Sequence, residues 1–305
     1  MVKLFVFVLS VLLCGNAFCQ VRIVVPSPPG GSDDALARLM APKLSEIWKE
    51  PVIVENKPGA SGHIGADFVA QSPGDGKTLL MSSTASLTEK NVQQFAPVTL
   101  VSASPYVVTA STKTNFTSIR ELISFARANP GKLTFGSSGT GAASHLSAEL
   151  FKSMARVDLV HVPYKGTGQA VTDLLAGQID LLFAPSQAVM QHVAAGKLKA
   201  LATTGNRRSE TLPNLPTLDE GGVFGYEALD WFGLLAPAAT PRNLVLKLSA
   251  DANRVLADPD IRARMLALGA DPAGNTPAQF ARFIRSDQAK WANLMRRTGI
   301  KPEGD

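Results

Sequence analysis

Short apolar runs alternate with amphipathic stretches along most of the chain. The short runs predict strands at residues 22–26, 52–55, 78–82, 98–101, 106–110, 132–135, 159–162, 179–183 and 199–203. Apolar positions that recur at helical spacing predict helices at residues 32–49, 62–71, 117–128, 142–154, 167–175 and 186–194. Strand and helix therefore take turns along the chain, and this order predicts an α/β fold with parallel sheets and right-handed crossovers.

The last third of the chain follows a different pattern. One strand is predicted at residues 231–236, and residues 241–298 are predicted to be helical. The breaks in this helical stretch are Asp258-Pro259 and Asn275-Thr276-Pro277. A single strand before a helical tail predicts that the chain returns to complete its first domain.

This order predicts two lobes. Lobe 1 comprises residues 20–103 and 225–305, and lobe 2 comprises residues 104–224. We expect the chain to cross between the lobes near residues 102–104 and 222–227. A length of 305 residues is sufficient for two domains that each have a core.

The first 19 residues have the pattern of a secretory signal peptide. Lys3 gives a positive start, residues 4–13 are almost entirely apolar, and Ala17-Phe18-Cys19 offers small residues at both cleavage positions. The apolar run has about ten residues, too few to span a bilayer core of ~30 Å. We therefore predict a mature protein that starts at Gln20 in the periplasm. The alternative is a buried N-terminal strand or helix.

Both cysteines of the chain, Cys14 and Cys19, lie in this leader. The mature protein is therefore predicted to have no thiol, disulfide or Cys-ligated metal. A lipoprotein signal needs a small residue before the acylated cysteine, whereas Leu13 and Phe18 are large. This difference favours a free periplasmic protein.

Composition and charge argue against several classes of protein. The chain is 45% hydrophobic and 18% charged, which is typical of a globular protein and not of a disordered one. The formal net charge is +5, but Lys and Arg are scattered, and aromatic residues make up 7%. We therefore expect no nucleic-acid partner. No run after the leader reaches ~18 apolar residues, so no membrane-spanning segment is predicted.

Four loops that follow predicted strands are rich in Gly, Ser and Thr: residues 26–34, 82–85, 136–145 and 164–168. In open α/β sheets, ligands bind at the carboxyl ends of the strands. A Gly-rich turn before a helix presents unpaired amide N–H groups and the positive end of the helix dipole, so it can bind a carboxylate or phosphate without Lys or Arg. The alternative is that these residues simply form tight turns.

Other chemistries lack their motifs. Residues 136–141 have neither the Lys of a P-loop nor the glycine spacing of a dinucleotide fingerprint. The 4 histidines are far apart and have no carboxylate at metal-ligand spacing, so no metal site is predicted. Ser137 or Ser138 with His145 would supply the nucleophile and base of a hydrolase, a remote alternative. No G-x-S-x-G elbow surrounds either serine.

Motifs along the whole mature chain occur in the order typical of one receptor family. They are G-G-S at residues 30–32 with Asp34 and Arg38, V-E-N-K-P-G-A at 54–60 with Gly62 and Gly65, F-A-P-V-T-L at 95–100, A-S-H-L at 143–146, H-V-P-Y-K-G at 161–166, D-L-L-A-G-Q-I-D at 173–180, W-F-G-L-L-A-P at 231–237 and A-L-G-A at 267–270. In these motifs the chain resembles the tripartite tricarboxylate transporter receptor family, also called the Bordetella uptake gene (Bug) receptors.

The resemblance implies a type II periplasmic binding protein, with two lobes, a hinge and an interlobe cleft. It implies a receptor, not an enzyme, that passes a small carboxylate to the permease subunits of a tripartite transporter. We expect a monomer that needs no cofactor. The rival function is a sensor that presents the carboxylate to a sensor kinase. The positions expected to contact the ligand are Ser27, Pro28, Gly31, Ser32, Asp33, Ser83, Thr84, Ser137, Ser138, Gly139, Thr140, His145, Tyr164, Gly166, Ala184, Pro185 and Ser186.

Three departures from the family pattern concern this pocket. Ser27 replaces the aromatic residue that usually precedes the Pro-Pro-Gly-Gly turn, and Ala184 stands where the family often has Asp. The segment 84–94 is shorter than usual. A carboxylate at position 184 would pair with a ligand ammonium. Its absence predicts a plain mono-, di- or tricarboxylate ligand, not glutamate or aspartate. The alternative partner for an ammonium group is Asp33 in the first loop, whereas Asp34 begins a helix and is explained as its cap.

Overall fold

The computed structural model describes residues 20–83, 86–88 and 91–300. The predicted signal peptide lies outside these residues. In chain order the elements are β1 (Val21–Val25), α1 (Ser32–Trp48), β2 (Val52–Asn56), α2 (His63–Ala70), β3 (Thr78–Ser82), β4 (Phe95–Ser111), α3 (Ile119–Ala128), β5 (Thr134–Ser137), α4 (Ala143–Ala155), β6 (Val160–Pro163), α5 (Thr167–Ala176), β7 (Leu181–Pro185), α6 (Ser186–Ala194), β8 (Leu198–Thr203), β9 (Leu229–Pro237), α7 (Arg242–Leu256), α8 (Pro259–Ala267) and α9 (Pro277–Thr298).

The chain divides into two compact units. Unit 1 comprises residues 20–98 and Leu234–Val255, and unit 2 comprises Thr99–Gly233 and residues 256–300. The strands β4 and β9 and the helix α7 each run across a boundary between the units.

Unit 1 contains a parallel sheet with β1 between two neighbours. Val21 of β1 lies opposite Val52 of β2, and Arg22 lies opposite Thr78 of β3. The helices α1 and α2 pack on this sheet. Val24 is fully buried, as expected in a parallel sheet whose strands are covered by crossover helices. This arrangement places the loops after β1 and β3 at the carboxyl ends of neighbouring parallel strands.

The sheet of unit 2 is mixed. Its order is β4-β7-β5-β6, and β8 pairs with β4. β5 is parallel to β6 and β7, whereas β4 is antiparallel to β7 and β8. The prediction of wholly parallel sheets was therefore wrong for β4. The physical reason is that no crossover helix within unit 2 precedes β4, which begins in unit 1, so its direction is not set by a βαβ unit.

β4 is a single strand where two were predicted, at residues 98–101 and 106–110. Its less apolar middle pairs with residues near Asp271. Ser102 forms an antiparallel bridge with Pro272, and the Ala103 amide donates to the Asp271 carbonyl at 3.2 Å. A partner distant in sequence satisfies the backbone here, and the local pattern carries no sign of it.

The C-terminal helices α8 and α9 belong to unit 2, whereas the predicted division places residues 225–305 with lobe 1. Trp291 and Leu294 of α9 lie in the same buried cluster as Phe135, Phe151 and Phe183. The amphipathic pattern of α9 identifies a buried face but not the sheet that covers it. The second predicted crossing, at 222–227, likewise precedes the boundary at Gly233.

Candidate functional site

The loop between β1 and α1 is built around the buried carboxylate of Asp34. Asp34 Oδ2 accepts from the Gly30 amide at 2.9 Å and from Arg38 Nε at 3.0 Å, and Asp34 Oδ1 accepts from Asn56 Nδ2 at 3.0 Å. Asn56 Nδ2 also donates to the Ser27 carbonyl at 3.1 Å. The hydrogen bond from Arg38 lowers the pKa of the Asp34 carboxyl to about 2, against the opposing effect of burial. Asp34 therefore holds the loop in shape as a carboxylate.

The Asp33 carboxylate accepts hydrogen bonds from two other groups of the same loop. The Ser27 hydroxyl donates to Asp33 Oδ1 at 2.7 Å, and the Asp34 amide donates to the same oxygen at 3.0 Å. A Cβ at Gly31 would lie 2.7 Å from Asp33 Oδ1, so a larger residue there would displace this carboxylate. Ser32 is exposed at the start of α1, where a first-turn amide has no intrahelical acceptor.

The loop after β3 lies beside this first loop. Ser82 Oγ and Ser86 Oγ are 2.9 Å apart, and Asn91 Nδ2 donates to the Ser86 carbonyl at 2.9 Å. A Cβ at Gly62 would lie 2.8 Å from Ser86 Cβ and 3.3 Å from Pro26 Cβ. The structure thus brings together both predicted loops of unit 1 and the N-terminus of α2. Ser83 is half-buried in this loop, and the predicted site residue Thr84 lies outside the described residues.

In unit 2, the loop from Ser137 to His145 satisfies many of its own polar groups. Ser137 Oγ donates to the Gly139 carbonyl at 3.0 Å and accepts from the Gly139 amide at 3.2 Å. The Ser138 amide donates to Ser144 Oγ at 3.0 Å, and the Gly141 amide donates to His145 Nδ1 at 3.0 Å. Three of the amides expected to face a ligand are therefore used within the loop.

Gly139 and Ser137 are buried, whereas Thr140 is half-buried. Gly139 has a φ of +146°, which favours glycine. At the start of α4, the amides of Ala143 and Ser144 have no intrahelical acceptor. The structure therefore leaves Thr140 and the first turn of α4 as the donors available from this loop, while Ser137 and Gly139 shape it.

Two histidines stack beneath this loop. The ring centroids of His145 and His161 are 3.8 Å apart with an interplanar angle of 13°. His161 Nε2 lies 2.7 Å from Ser137 Oγ. Burial, with the nearby Lys152 ammonium, lowers the pKa of His145 to about 4, and burial, with the His145 ring, lowers the pKa of His161 to about 4. Both rings are therefore neutral at pH 7.

The loop after β6 is joined to the same structure. The Tyr164 amide donates to the Ser137 carbonyl at 3.1 Å, and the Tyr164 hydroxyl donates to Asp173 Oδ2 at 2.8 Å. Burial and this bond to Asp173 raise the pKa of Tyr164 to about 12. Gly166 follows with a φ of +146° and has no neighbour within 4 Å of an added Cβ. Tyr164 anchors the loop, and Gly166 borders open space.

The three residues at the end of β7 that were predicted to contact the ligand differ in how deeply they are buried. The Ala184 methyl group is fully buried in an apolar cluster with Val107 and Leu182, and it does not reach solvent. Ser186 starts α6 and is also buried, with its hydroxyl 2.9 Å from a Cβ placed at Gly269. Pro185 is half-buried. The side chain at position 184 therefore belongs to the core of unit 2, because both faces of β7 are covered by apolar clusters.

Several residues of these loops were not among the predicted site residues. Asn56 and Asn91 brace the loops of unit 1, and Ser144, His161 and Asp173 brace those of unit 2. Asn56, His161 and Asp173 lie within the family motifs, and this position in a motif is the sequence signal that could have identified them. Their partners lie on other elements, so spacing alone does not reveal the contacts.

The hydrolase alternative does not match this geometry. His145 Nδ1 accepts from the Gly141 amide, and the histidine beside Ser137 is His161. Ser137 is 0% exposed, so a substrate carbonyl would not reach its hydroxyl. Among residues 20–83, 86–88 and 91–300, no group of three or more His, Cys, Asp or Glu side chains could hold a metal ion.

The glycine-rich turns thus form two braced sets of loops, one in each unit, at strand ends and helix starts. Residues 36–300 match the model of the tripartite tricarboxylate transporter family receptor. The chain belongs to this family. Its members are receptors and not enzymes, and the resemblance inferred from the motifs is confirmed.

Curated relatives and solved structures agree with this assignment. The chain is 38% identical to the UPF0065 protein in the tcbD-tcbE intergenic region of Pseudomonas sp. (strain P51), over 89% of this chain and 84% of that protein. It is 35% identical to protein BugT of Bordetella pertussis, over 92% of this chain and 90% of that protein.

Two solved structures were determined with carboxylates. R. palustris Rpa4515 with adipate is 34% identical with a TM-score of 0.74, covering 93% of this chain and 98% of that chain. MatC from Rhodopseudomonas palustris with bound malate is 29% identical with a TM-score of 0.68, covering 90% of this chain and 98% of that chain. The predicted α/β periplasmic binding fold is confirmed by these similarities.

The protein is accordingly a solute-binding receptor of a family of periplasmic proteins. Within the described part of the chain, no helix is long and apolar enough to cross a membrane.

Proposed function

We propose that this receptor captures a small organic carboxylate in the periplasm and delivers it to the permease subunits of a tripartite tricarboxylate-type transporter. The observation that carries the proposal is the internal bracing of the Gly- and Ser-rich loops at Ser27–Asp34 and Ser137–His145. Because their own side chains fix these loops, the first-turn amides of α1 and α4 are held ready for an anion, except that of Asp34, which donates to Asp33.

The polar groups of the loops favour an anion over a cation or a neutral sugar. The Asp34 carboxylate is saturated by Gly30, Arg38 and Asn56, and Asp33 is bound by Ser27. The loops therefore offer donors, namely first-turn amides and the hydroxyls of Ser32 and Thr140. Donors of this kind bind carboxylate oxygens. The adipate and malate in the related structures have the same chemistry.

Calorimetry and thermal shift with adipate, malate, succinate and citrate test this proposal directly. A ligand that binds the native state raises the melting temperature, and a hundredfold excess over Kd adds about 2.7 kcal/mol to the free energy of unfolding. A receptor that binds none of these acids, or that prefers a neutral sugar, would contradict the proposal.

Delivery to a permease is tested in cells that take up the bound acid. Deletion of the receptor is expected to abolish accumulation of the labelled acid, and plasmid-borne receptor to restore it. Normal uptake with a lost transcriptional response to the acid would instead indicate the sensor-kinase function.

The predicted leader is tested in the same cells, because mass spectrometry of the periplasmic protein should find Gln20 at its N-terminus.

A further inference from the structure

The stacked histidines of unit 2 hold the loop that the proposed function uses, and the hydrogen bond of His145 specifies where the proton of this ring lies. His145 Nδ1 accepts from the Gly141 amide at 3.0 Å. A ring nitrogen that accepts from an amide carries no proton. Neutral His145 therefore has its proton on Nε2, which faces Glu149 Oε1 at 3.9 Å.

His161 is connected to the same loop through Ser137. Ser137 Oγ lies 3.0 Å from the Gly139 carbonyl oxygen, 3.2 Å from the Gly139 amide nitrogen and 2.7 Å from His161 Nε2. The tautomer of His161 decides whether this ring nitrogen donates to the hydroxyl or accepts from it. One hydroxyl thereby connects the His161 ring to both the amide and the carbonyl of Gly139.

Few charges compensate a proton added to this pair. Among the described residues, the charged groups that act on the two rings are Glu149 and Lys152, both on α4. Their side chains are paired at 2.7 Å, so the Glu149 carboxylate is already neutralised by Lys152. Phe135 stacks on His161 with ring centroids 4.9 Å apart and offers no acceptor. The surroundings of the His145 and His161 rings therefore favour the neutral form of both.

We propose that His145 and His161 are positioning residues that hold Ser137–Gly141 in its ligand-binding shape, and that a proton on His145 Nδ1 releases this loop and weakens carboxylate binding. The proposal rests on the proposed function, since it concerns the same loop. Protonated His145 has a donor on Nδ1 that opposes the donor of the Gly141 amide, so the imidazolium and this loop hydrogen bond exclude each other.

The pH at which this happens follows from the lowered pKa of about 4 for His145. The loop is intact at pH 7, and binding weakens as the pH falls through about 4. At pH 4 about half of His145 is protonated, and the apparent affinity falls with the competent fraction, by about twofold. The ligand carboxylates also titrate in this range. The effect of His145 therefore has to be measured against a variant whose side chain at position 145 takes up no proton.

His145→Asn is that variant. Its side-chain Oδ1 stands in the place of Nδ1, accepts from the Gly141 amide and takes up no proton. His145→Leu keeps the bulk and removes the acceptor. At pH 7.5 we expect His145→Leu to weaken binding of the probes adipate and malate by about fivefold to tenfold, as for one lost hydrogen bond, and His145→Asn to recover most of this loss.

The decisive measurement is the ratio of the Kd values of wild type and His145→Asn, by calorimetry from pH 7.5 to pH 4. We expect this ratio to rise by about twofold, while titration of the ligand cancels from it. His192→Asn, on α6, is the control and should follow the pH profile of the wild type. A ratio that stays constant, or equal affinities of wild type and His145→Leu, would overturn the proposal.

A second measurement needs no ligand. Nitrogen-15 NMR of the histidine side chains should show His145 with its proton on Nε2 at pH 7, and exchange of the Gly141 amide should accelerate as the pH falls toward 4 relative to His145→Asn. A proton on Nδ1 at pH 7 overturns the positioning role even if the protein binds no carboxylate. Failure of the wild type to bind any acid, with these NMR results as expected, contradicts the proposed function instead.

Discussion

Asp34 and Arg38 lie one turn apart on α1, and two nitrogens of Arg38 contact the two carboxylate oxygens of Asp34. Arg38 Nε lies 3.0 Å from Asp34 Oδ2, and Arg38 Nη2 lies 2.9 Å from Asp34 Oδ1. A bidentate pair of this kind fixes the orientation of both planar groups. Because Asp34 also accepts from the Gly30 amide, the pair transmits the position of α1 to the loop that precedes it.

The pair predicts a pH dependence of stability. The folded pKa of Asp34, about 2, lies below its ordinary value of 3.8, so the ionised form stabilises the fold. This contribution is complete above pH 4 and is lost as the pH falls toward 2. Solvent reaches the Arg38 side chain, which is 52% exposed, and this reduces the contribution to about 1 kcal/mol.

Asp34→Asn should therefore lower the free energy of unfolding at pH 7 by about 1 kcal/mol, and the difference from wild type should narrow at pH 2. Denaturant unfolding at pH 7, 3 and 2 measures both effects. Asp33→Asn is the control, since Asp33 accepts from Ser27 instead of Arg38. A difference that does not change with pH would show that the ion pair does not stabilise the loop.

Two helical glycines give a matched prediction about packing. A Cβ at Gly65 of α2 would lie 2.9 Å from the Lys57 carbonyl and 3.0 Å from Pro26 Cα, whereas a Cβ at Gly168 of α5 would meet nothing within 4 Å. Alanine favours a helix over glycine by up to about 1 kcal/mol. Gly168→Ala should therefore raise the melting temperature, and Gly65→Ala should lower it because backbone atoms must move. Equal shifts would contradict the close approach of α2 to the first loop.

The chain has 3 tyrosines, and the structure raises the pKa of each. Burial raises the pKa of Tyr106 and Tyr226, and burial with the bond to Asp173 raises the pKa of Tyr164 to about 12. Absorbance at the tyrosinate band should therefore stay flat through pH 10 in the native protein. Between pH 10 and 12 the folded state holds protons that the unfolded state loses, so stability falls as the pH rises.

The same titration in denaturant is the control, and all three phenols should then ionise near pH 10. Tyr164→Phe should remove the earliest step of the native titration. A native protein that titrates at pH 10 would contradict the burial of these side chains.

The sequence pattern predicted most helices and strands of the α/β fold because each is marked by its own periodicity. The antiparallel direction of β4 and the placement of α9 in unit 2 depend on partners distant in sequence, such as α4 for α9. The candidate site shows the same contrast between features with a local sequence pattern and features that depend on distant residues. Glycine positions in the turns were evident from composition, whereas the bonds of Ser137 to His161 and of Asp34 to Asn56 join different elements and leave no local signal.

The structure also changes the argument for the ligand class. Ala184 is buried in the core of unit 2, so the lack of a carboxylate there does not bear on the ligand. Among the described residues, the carboxylates in or beside these loops already accept hydrogen bonds. Asp34 is bound by Arg38 and Asp33 by Ser27 in unit 1, and Asp173 accepts from a tyrosine in unit 2.

An α-ammonium group on the ligand would therefore meet loops whose described carboxylates already accept hydrogen bonds, and a desolvated cation is costly there. We expect succinate to bind at least about tenfold more tightly than aspartate, a difference of about 1.4 kcal/mol. Calorimetry of the two acids at pH 7.5 makes the comparison with matched carboxylates. Tighter binding of aspartate would refute the prediction, and its loss in Asp33→Asn would then identify Asp33 as the partner of the ammonium group.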